Sequence, residues 1–369
     1  MLHLAWRNLS QSRTQFSLGV GGVALALLLM LALDALFAGA AEKLVVYIDQ
    51  AGADIFVAQE GVKNMHMAAS AITLRDMRLA SHADGVISAS PILYASGVVK
   101  AGQADILSYI IGFDPHEALG GPPEVIAGMA ELQRDEAIID ETVARSQGLG
   151  LGDEIELLGE TFTIAGLTQG LTNITNSVTF IHLKDFQELR GREAISYVLL
   201  KVKPGYAPGP IAAAISVRNP DVTALPRAEF AREERQLVTD MGVELLNIMN
   251  LSGLLIGLAV TALTLYTSTL RKRQEYGVLK AIGAKNWQLY GVVILQASLS
   301  LTIGLVIAMG LVWLLGLVLP GLNSGISFVL TPAAITRVGL AALLIGVAAA
   351  LAPAWQIARL DPAHVFRGS

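Results

Sequence analysis

The chain has 369 residues, 53% hydrophobic and 15% charged, with a net charge of −5 at pH 7 and no cysteine; its mean hydropathy is +0.55. Soluble domains carry roughly 25% charged residues, so a chain this apolar is not soluble throughout. The missing cysteines exclude disulfides, thiolate catalysis and Cys-ligated metal or iron–sulfur centres, and the acidic balance disfavours a nucleic-acid binder, whose phosphate contacts need a basic surface.

In chain order, residues 16–41 form the first run able to cross a bilayer, which takes about 20 mostly apolar residues. The run is longer than the roughly 7–15 apolar residues of a signal peptide, so Gly39-Ala40-Ala41 reads as part of a retained helix. Residues 42–242 have ordinary globular composition and read as mixed α and β. Strands are expected at 53–58 and at 88–101, around Pro91 and with Gly97 as a bulge. Another is expected at 136–140, followed by a short helix over 141–147 that Gly148 ends. Residues 153–158 and 161–166 read as a hairpin turning at Gly159-Glu160. Strands at 177–182 and 196–203, a helix at 208–216 and a strand at 221–225 follow. Residues 228–241, with Glu229, Arg232, Glu233, Glu234 and Arg235, read as an exposed helix that runs into the second apolar span, 243–270. Two more spans are expected, at 289–319 and 333–355.

The fold class that follows is a membrane protein with four transmembrane α-helices and a large mixed α+β extracytoplasmic domain between the first and second. Short loops set the orientation, because Lys and Arg stay on the cytoplasmic side. Arg7 and Arg13 precede the first span, Arg271, Lys272, Arg273, Lys280 and Lys285 separate the second and third, and Arg359 and Arg367 follow the fourth. Residues 320–332 carry no Lys or Arg. Both termini are therefore expected in the cytoplasm, and 42–242 and 320–332 outside.

Catalytic signatures are missing from the sequence. There is no G-x-x-x-x-G-K-[ST], so the chain has no P-loop of its own. Gly148-Leu149-Gly150-Leu151-Gly152 precedes a strand rather than a helix, which makes it a connecting turn and not a dinucleotide cradle. The six His residues show no H-E-x-x-H or other local metal-ligand spacing, and no G-x-S-x-G elbow occurs.

The most informative segment is LRKRQEYGVLKAIGAK, residues 270–285, between the second and third spans. Tyr276, Leu279 and Ile282-Gly283 fall near one helix face. A loop that only fixed topology would need the basic residues but not the apolar stripe. The segment closely resembles the coupling helix of the MacB/FtsX-type ABC transporter permeases, which include LolC/LolE- and DevC-like proteins. That pattern is a basic run, a Glu, a Gly two positions on, then Leu, Ala and Gly-Ala. Here it stands as Arg271, Lys272 and Arg273, then Glu275, Gly277, Leu279, Ala281 and Gly283-Ala284. Residues 4–10, the stretches 139–142, 149–153 and 162–166, and the tail with Pro353, Trp355, Leu360-Asp361-Pro362 and Arg367 are similar to other parts of the same family.

The resemblance implies a non-catalytic permease subunit of the bacterial cytoplasmic (inner) membrane. Its parts are an amphipathic cytoplasmic helix (1–15), four membrane helices (16–41, 243–270, 289–319, 333–355), a MacB-like core domain (42–242), a coupling helix (271–288), an external loop (320–332) and a cytoplasmic tail (356–369). The implied partners are a separate cytoplasmic ABC ATPase, a second permease copy (a homodimer, with a heterodimer as the alternative), membrane lipid and a periplasmic adaptor. The ATPase would be coupled through Arg271, Arg273, Glu275, Tyr276, Gly277, Leu279 and Gly283. No cofactor is intrinsic; ATP-Mg belongs to the partner. In this family ATP-driven closure moves the exposed domains rather than passing substrate through a pore.

Asp34 lies inside the first span, where an ionisable group is costly and marks a functional position. Met30 sits one turn before it on the same face. Asp34 is either hydrated at the outer interface or, with Met30, a substrate contact. A thioether and a carboxylate could hold an amphiphile or haem iron, haem being then a substrate only. Gln296 in the third span reads as a hydrogen-bonding residue between helices. Gly253 and Gly257 form a GxxxG, expected to pack closely against the first helix of a partner copy; Gly22/Ala26 and Gly346/Ala350 repeat the small-residue spacing. Three functions fit these features: export or extraction of a lipophilic substrate, mechanical signalling to an external enzyme such as a cell-wall hydrolase, and a membrane-anchored domain acting alone. The coupling-like loop favours the first two over the third.

Overall fold

The computed structural model describes residues 13–66, 68–101, 104–173, 176–191, 193–321 and 326–359. The expected helix over 4–10, residues 322–325 of the external loop, and Leu360, Asp361, Pro362 and Arg367 of the tail lie outside them. The chain divides into two compact units. One takes in residues up to Ala38, Gly242–Val318 and from Phe328 onward; the other takes in Gly39–Met241 and Leu319–Ser327.

The elements run α1 (Arg13–Gln50), β1 (Ile55–Gln59), α2 (Leu74–Ser81), β2 (Val86–Ala101), β3 (Ala104–Phe113), β4 (Val125–Gly128), β5 (Glu136–Asp140), α3 (Glu141–Gln147), β6 (Glu154–Leu157), β7 (Glu160–Thr168), β8 (Ser177–His182), α4 (Leu183–Arg190), β9 (Tyr197–Val202), α5 (Pro208–Arg218), β10 (Val222–Pro226), α6 (Arg227–Arg271), α7 (Arg273–Ala281), α8 (Asn286–Gly321) and α9 (Pro332–Ala358). Four of them, α1, α6, α8 and α9, are long and apolar enough to cross a membrane.

In the α/β unit the strands follow the order β10-β1-β9-β2-β3-β8-β5-β7-β4, with β6 off this path beside β2 and β7. The 16-residue β2 joins two sheets. Its first half, Val86 to Ile92, pairs with β9, and its second half, Leu93 to Ala101, pairs with β3. Residues 55–58 of β1 and 197–200 of β9 are unbroken apolar runs because the sheet they form is covered on both faces there. Ile55 and Val57 of β1, with Val198 and Leu200 of β9, pack on one side with Ile211 and Ile215 of α5. Phe56 and Ala58 face the other side, with Tyr47 and Ile48 of α1 and with Phe230 and Ala231 of α6. The rings of Phe56 and Phe230 stack 4.8 Å apart. The second sheet closes on its own core, which includes Ile110, Ile139, Phe162, Ile164, Ile181 and Phe186.

Several expectations are corrected here. The bulge in β2 lies between Val86 and Ser88, whereas Gly97 pairs in regular register with Ser108. The hairpin turns at Leu158-Gly159, not at Gly159-Glu160, since Leu157 pairs with Glu160. Both turn residues have positive φ, 55° and 89°, which is how a two-residue turn matches the twist of its strands. The segment before the second span is not exposed throughout: Phe230, Ala231 and Glu234 are fully buried. Strands β3 and β4 and helices α2 and α4 had no counterpart in the sequence reading.

Helix α2 starts in a capping box between Thr73 and Asp76. The Asp76 carboxylate also accepts from Asn219 Nδ2 at 2.9 Å, which ties α2 to the residue capping α5. Burial pushes this carboxyl up, but the hydrogen bonds from Thr73 and Asn219 outweigh it and hold the group below the ordinary carboxylate range. A depressed carboxyl stabilises the fold above its unfolded value, about pH 4, and loses that stabilisation as pH falls through the lower folded value. Asp76→Ala is therefore expected to cost about 1–3 kcal/mol in thermal unfolding of the full chain at pH 7. The deficit should shrink as the buffer is taken below about pH 4.

In the helical unit, Leu27, Leu31 and Ala35 of α1 pack with Leu301 and Ala308 of α8 and with Val338, Ala342 and Ile345 of α9. The GxxxG of α6 is filled from within the chain, which corrects the expectation of a partner's helix. A Cβ at Gly253 would lie 2.6 Å from Met30 Cγ, and one at Gly257 would lie 2.9 Å from Ile345 Cδ1. The glycines are the notch that lets α1 and α9 approach α6.

Candidate functional site

Helix α6 ends at Arg271, and Lys272 leaves helical geometry with φ −95° and ψ 14° before α7 begins. One face of α7 is fixed to the helices around it. Tyr276 and Gly277 are buried. Tyr276 and Leu279 pack with Leu265 of α6, Leu289 and Val293 of α8 and Ile357 of α9. Burial pushes the Tyr276 phenol up to about 12 and lowers the Lys272 ammonium from its usual value. Lys280 Nζ donates to the carbonyls of Ile357 at 2.8 Å and Ala358 at 3.1 Å, where a cation also offsets the negative end of α9.

The end of α7 is a Schellman motif. Gly283 N–H donates to the Lys280 carbonyl and Ala284 N–H to the Leu279 carbonyl, each at 3.0 Å. Gly283 has φ +102°, a conformation that side chains resist. Leu279 and Ala284, the two ends of the longer bond, pack on the same cluster. The apolar stripe read from the sequence therefore splits. Tyr276 and Leu279 face inward, while Ile282 is 79% exposed. The outward face consists of Arg271, Arg273, Gln274, Glu275, Val278 and Ile282, and is followed by the exposed Trp287 at the start of α8. Val278, Ile282 and Trp287 are the apolar part of this face that the sequence reading missed; Val278 and Ile282 show the one-turn spacing that could have revealed it.

A second constellation lies among the long helices. Asp34 is 6% exposed, and its Oδ1 accepts from Arg337 Nη1 of α9 at 3.1 Å. Asn250 of α6 lies beside the same carboxyl. Among the described residues, Asp34 Oδ2 and Asn250 Oδ1 are buried without a hydrogen-bond partner. Arg337 was missed because charges were counted in the loops, and it lies within the fourth apolar run. The structure does not bring Met30 and Asp34 together as an open pair, since Met30 is 2% exposed and fills the notch at Gly253. Gln296 is buried as well.

A third polar cluster lies in the α/β unit. Glu234 Oε2 accepts from Met65 N–H at 2.5 Å, and Oε1 sits 2.5 Å from His66 Nδ1. The pair closes residues around Met65 onto α6 and explains why an acidic residue occupies a fully buried helix position.

Comparison with known proteins bears on the family and the fold. The model of the FtsX-like permease C-terminal region matches residues 247–362, and that of the MacB-like periplasmic core domain matches residues 17–217. An uncharacterized ABC transporter permease of Mycobacterium tuberculosis (strain ATCC 25618 / H37Rv) is 23% identical over 100% of both chains. The putative hemin transport system permease protein HrtB of Staphylococcus haemolyticus is 20% identical over 100% of this chain and 99% of its own. The crystal structure of the periplasmic region of MacB from Actinobacillus actinomycetemcomitans aligns with a TM-score of 0.38 at 12% identity, covering 52% of this chain and 97% of that one. With four membrane-capable helices, a mixed α/β domain between the first and second, and matches to both family models, the chain belongs to the MacB/FtsX family of ABC transporter permeases and is a multi-pass membrane protein.

Proposed function

We propose that the chain is the non-catalytic membrane subunit through which a separate ABC ATPase drives export or extraction of a lipophilic or amphiphilic substrate, by motion of the domain formed by residues 42–242. The observation that carries this reading is the two-sided construction of α7. Its inner face is packed on α6, α8 and α9 and hydrogen-bonded to the end of α9, so a force applied to it reaches the bundle. Its outer face exposes charged and apolar side chains together, a composition suited to a protein partner. Permeases of this family work with an ATPase; ATP-Mg is held there. A homodimer of permeases completes the assembly in this reading, with a heterodimer and a periplasmic adaptor as variants of it. Co-purification of the ATPase with the full chain, and substrate stimulation of its activity, tests the assignment.

The same reading places both termini and α7 in the cytoplasm and residues 42–242 outside. A reporter fused after Gly283 is expected to be active only as a cytoplasmic fusion, and one fused after Gly121 only as an external fusion. A cytoplasmic signal after Gly121 would overturn the architecture.

Haem export is the narrower substrate reading, supported by one relative at 20% identity that is named a putative hemin transport system permease protein. The thioether of Met30 is occupied by packing, so a haem contact here would rest on the Asp34 side of the helix. Haem titration of the purified chain, with Asp34→Asn compared and Met30→Leu as the packing control, tests it: an absorbance change weakened by Asp34→Asn supports the reading, and no change, or one that Asp34→Asn leaves intact, removes it.

A further inference from the structure

Helices α2 and α5 lie on the same face of the β10-β1-β9-β2 sheet and leave between them a cleft of about 730 Å³. That volume lies in the range of small-molecule pockets, roughly 300–1,000 Å³. Two helical stripes face each other across it. On α2 and just after it, Arg75, Arg78, Leu79 and His82 repeat at i, i+3, i+4 and i+7; on α5, Ile211, Ala214, Ile215 and Arg218 repeat in the same way.

The chemistry of the lining is uneven. Its floor is apolar and rigid: Ile211 and Ile215 belong to the buried core. The Asp76–Asn219 hydrogen bond fixes the two helices to each other at one end. Leu79 and Tyr206 stand on the walls, 49% and 58% exposed. The rim carries Arg75, Arg78 and Arg218, with Asp84 the one acid among the lining residues. Among the described residues none of these three arginines forms an ion pair, unlike Arg134 with Asp185, Arg145 with Glu141 and Arg235 with Asp49; Arg75 only helps, at longer range, to hold the Asp76 carboxyl down. His82 Nδ1 donates to the Arg78 carbonyl at 2.8 Å, so Nε2 is left as an acceptor and the anion-holding donors are the arginines.

We propose that this cleft binds a small anionic amphiphile, whose phosphate or carboxylate head is held by Arg75, Arg78 and Arg218 and whose apolar body lies on Leu79, Tyr206 and Ile211. Guanidinium forks match oxyanions in geometry and charge. An apolar floor beside them rewards a ligand with a hydrocarbon or ring body over a bare ion. A cation would meet three like charges, so the site also discriminates by sign. The site lies wholly within the α/β unit, and its binding needs neither ATP nor an ATPase, so it stands or falls separately from the coupling role of α7.

The test is calorimetric titration of the full chain in zwitterionic nanodiscs, with empty nanodiscs subtracted. The probes are hexyl phosphate, inorganic phosphate and hexyltrimethylammonium. Hexyl phosphate is expected to bind saturably, inorganic phosphate at least about tenfold more weakly, and the cation not at all. Arg75→Ala with Arg218→Ala should weaken hexyl phosphate at least about tenfold. Ala214→Trp, which fills the cleft and keeps every arginine, should abolish binding; Arg190→Ala with Arg232→Ala, the same loss of two exposed charges away from the cleft, should leave it intact. The proposal is overturned if the arginine pair or Ala214→Trp binds hexyl phosphate as tightly as the unaltered chain, or if inorganic phosphate binds as well as hexyl phosphate.

Discussion

Arg337→Ala is expected to lower the thermal unfolding midpoint of the detergent-solubilised chain by more than the double change Asp34→Asn, Arg337→Gln. The single change leaves the Asp34 carboxylate buried without its cation, next to an Asn250 oxygen that already lacks a donor. Breaking a buried ion pair from one side costs about 3–5 kcal/mol. The Asp34 side chain is 3% exposed and that of Arg337 54%, which places the effect toward the lower end, because the exposed partner loses less hydration in the intact pair. The double change removes both charges and supplies an amide donor in place of each, so most of the loss should return. Asp34→Asn alone should be the mildest of the three: the long Arg337 side chain can carry its charge to water or headgroups. That asymmetry separates two roles of Asp34. If Asp34 contacts substrate, Asp34→Asn impairs transport while assembly and basal ATPase activity persist. If all three variants transport normally and differ only in unfolding midpoint, the pair is structural.

The sequence showed the architecture because its strongest signals are long. Spans such as 289–319 are continuous apolar runs, and no competing reading fits a run of that length. The strand at 136–140 and the helix ended by Gly148 were legible for a local reason: Asp140 caps the helix through Thr142 N–H, and Gly148 adopts φ 69°. Strand β3 escaped because its alternation fades into the buried run Ile110 to Phe113, where it is covered on both faces. Helices α2 and α4 escaped because eight residues with several charges give too few turns for a periodicity. Glu234 was misplaced by composition: five charged residues in a row of eight suggested a solvated helix, and only the fold reveals that His66 and Met65 meet that carboxylate. The coupling segment was recognised from its residues, but the face it presents was not. Tyr276, Leu279 and Ile282 share a stripe on a helical wheel; the Schellman turn at Gly283 ends α7 so that Ile282 stays outside while Leu279 is held within.

Glu275→Lys and Gly283→Leu are expected to lower ATPase recruitment or substrate-stimulated ATPase activity about ten- to a hundredfold, with expression and membrane insertion unchanged. The reasoning for each is different. Among the described residues Glu275, 63% exposed, has one ion pair, with Lys272 at 4.0 Å, so its reversal costs the chain itself little. Against a basic group on the ATPase it replaces an attraction with a repulsion, and loss of a charge-assisted hydrogen bond alone costs about 1.5–3 kcal/mol, which is the stated fold-change at about 1.4 kcal/mol per tenfold. Gly283 acts through shape. Nothing crowds a side chain there, but a leucine forced to φ +102° bears a left-handed penalty of about 1–2 kcal/mol. The relief available is to unwind the last turn of α7, which carries Ile282 away from Val278 and breaks up the exposed apolar patch. Ile282→Asp should then reproduce the recruitment defect without any backbone change, since among the described residues Ile282 is 79% exposed and belongs to no buried cluster. Lys203→Glu, an exposed charge reversal in the α/β unit, is the control and should leave ATPase binding intact. If Glu275→Lys, Gly283→Leu and Ile282→Asp all retain full recruitment and full transport, α7 is not the coupling element, and the domain between the first two membrane helices must act on its own.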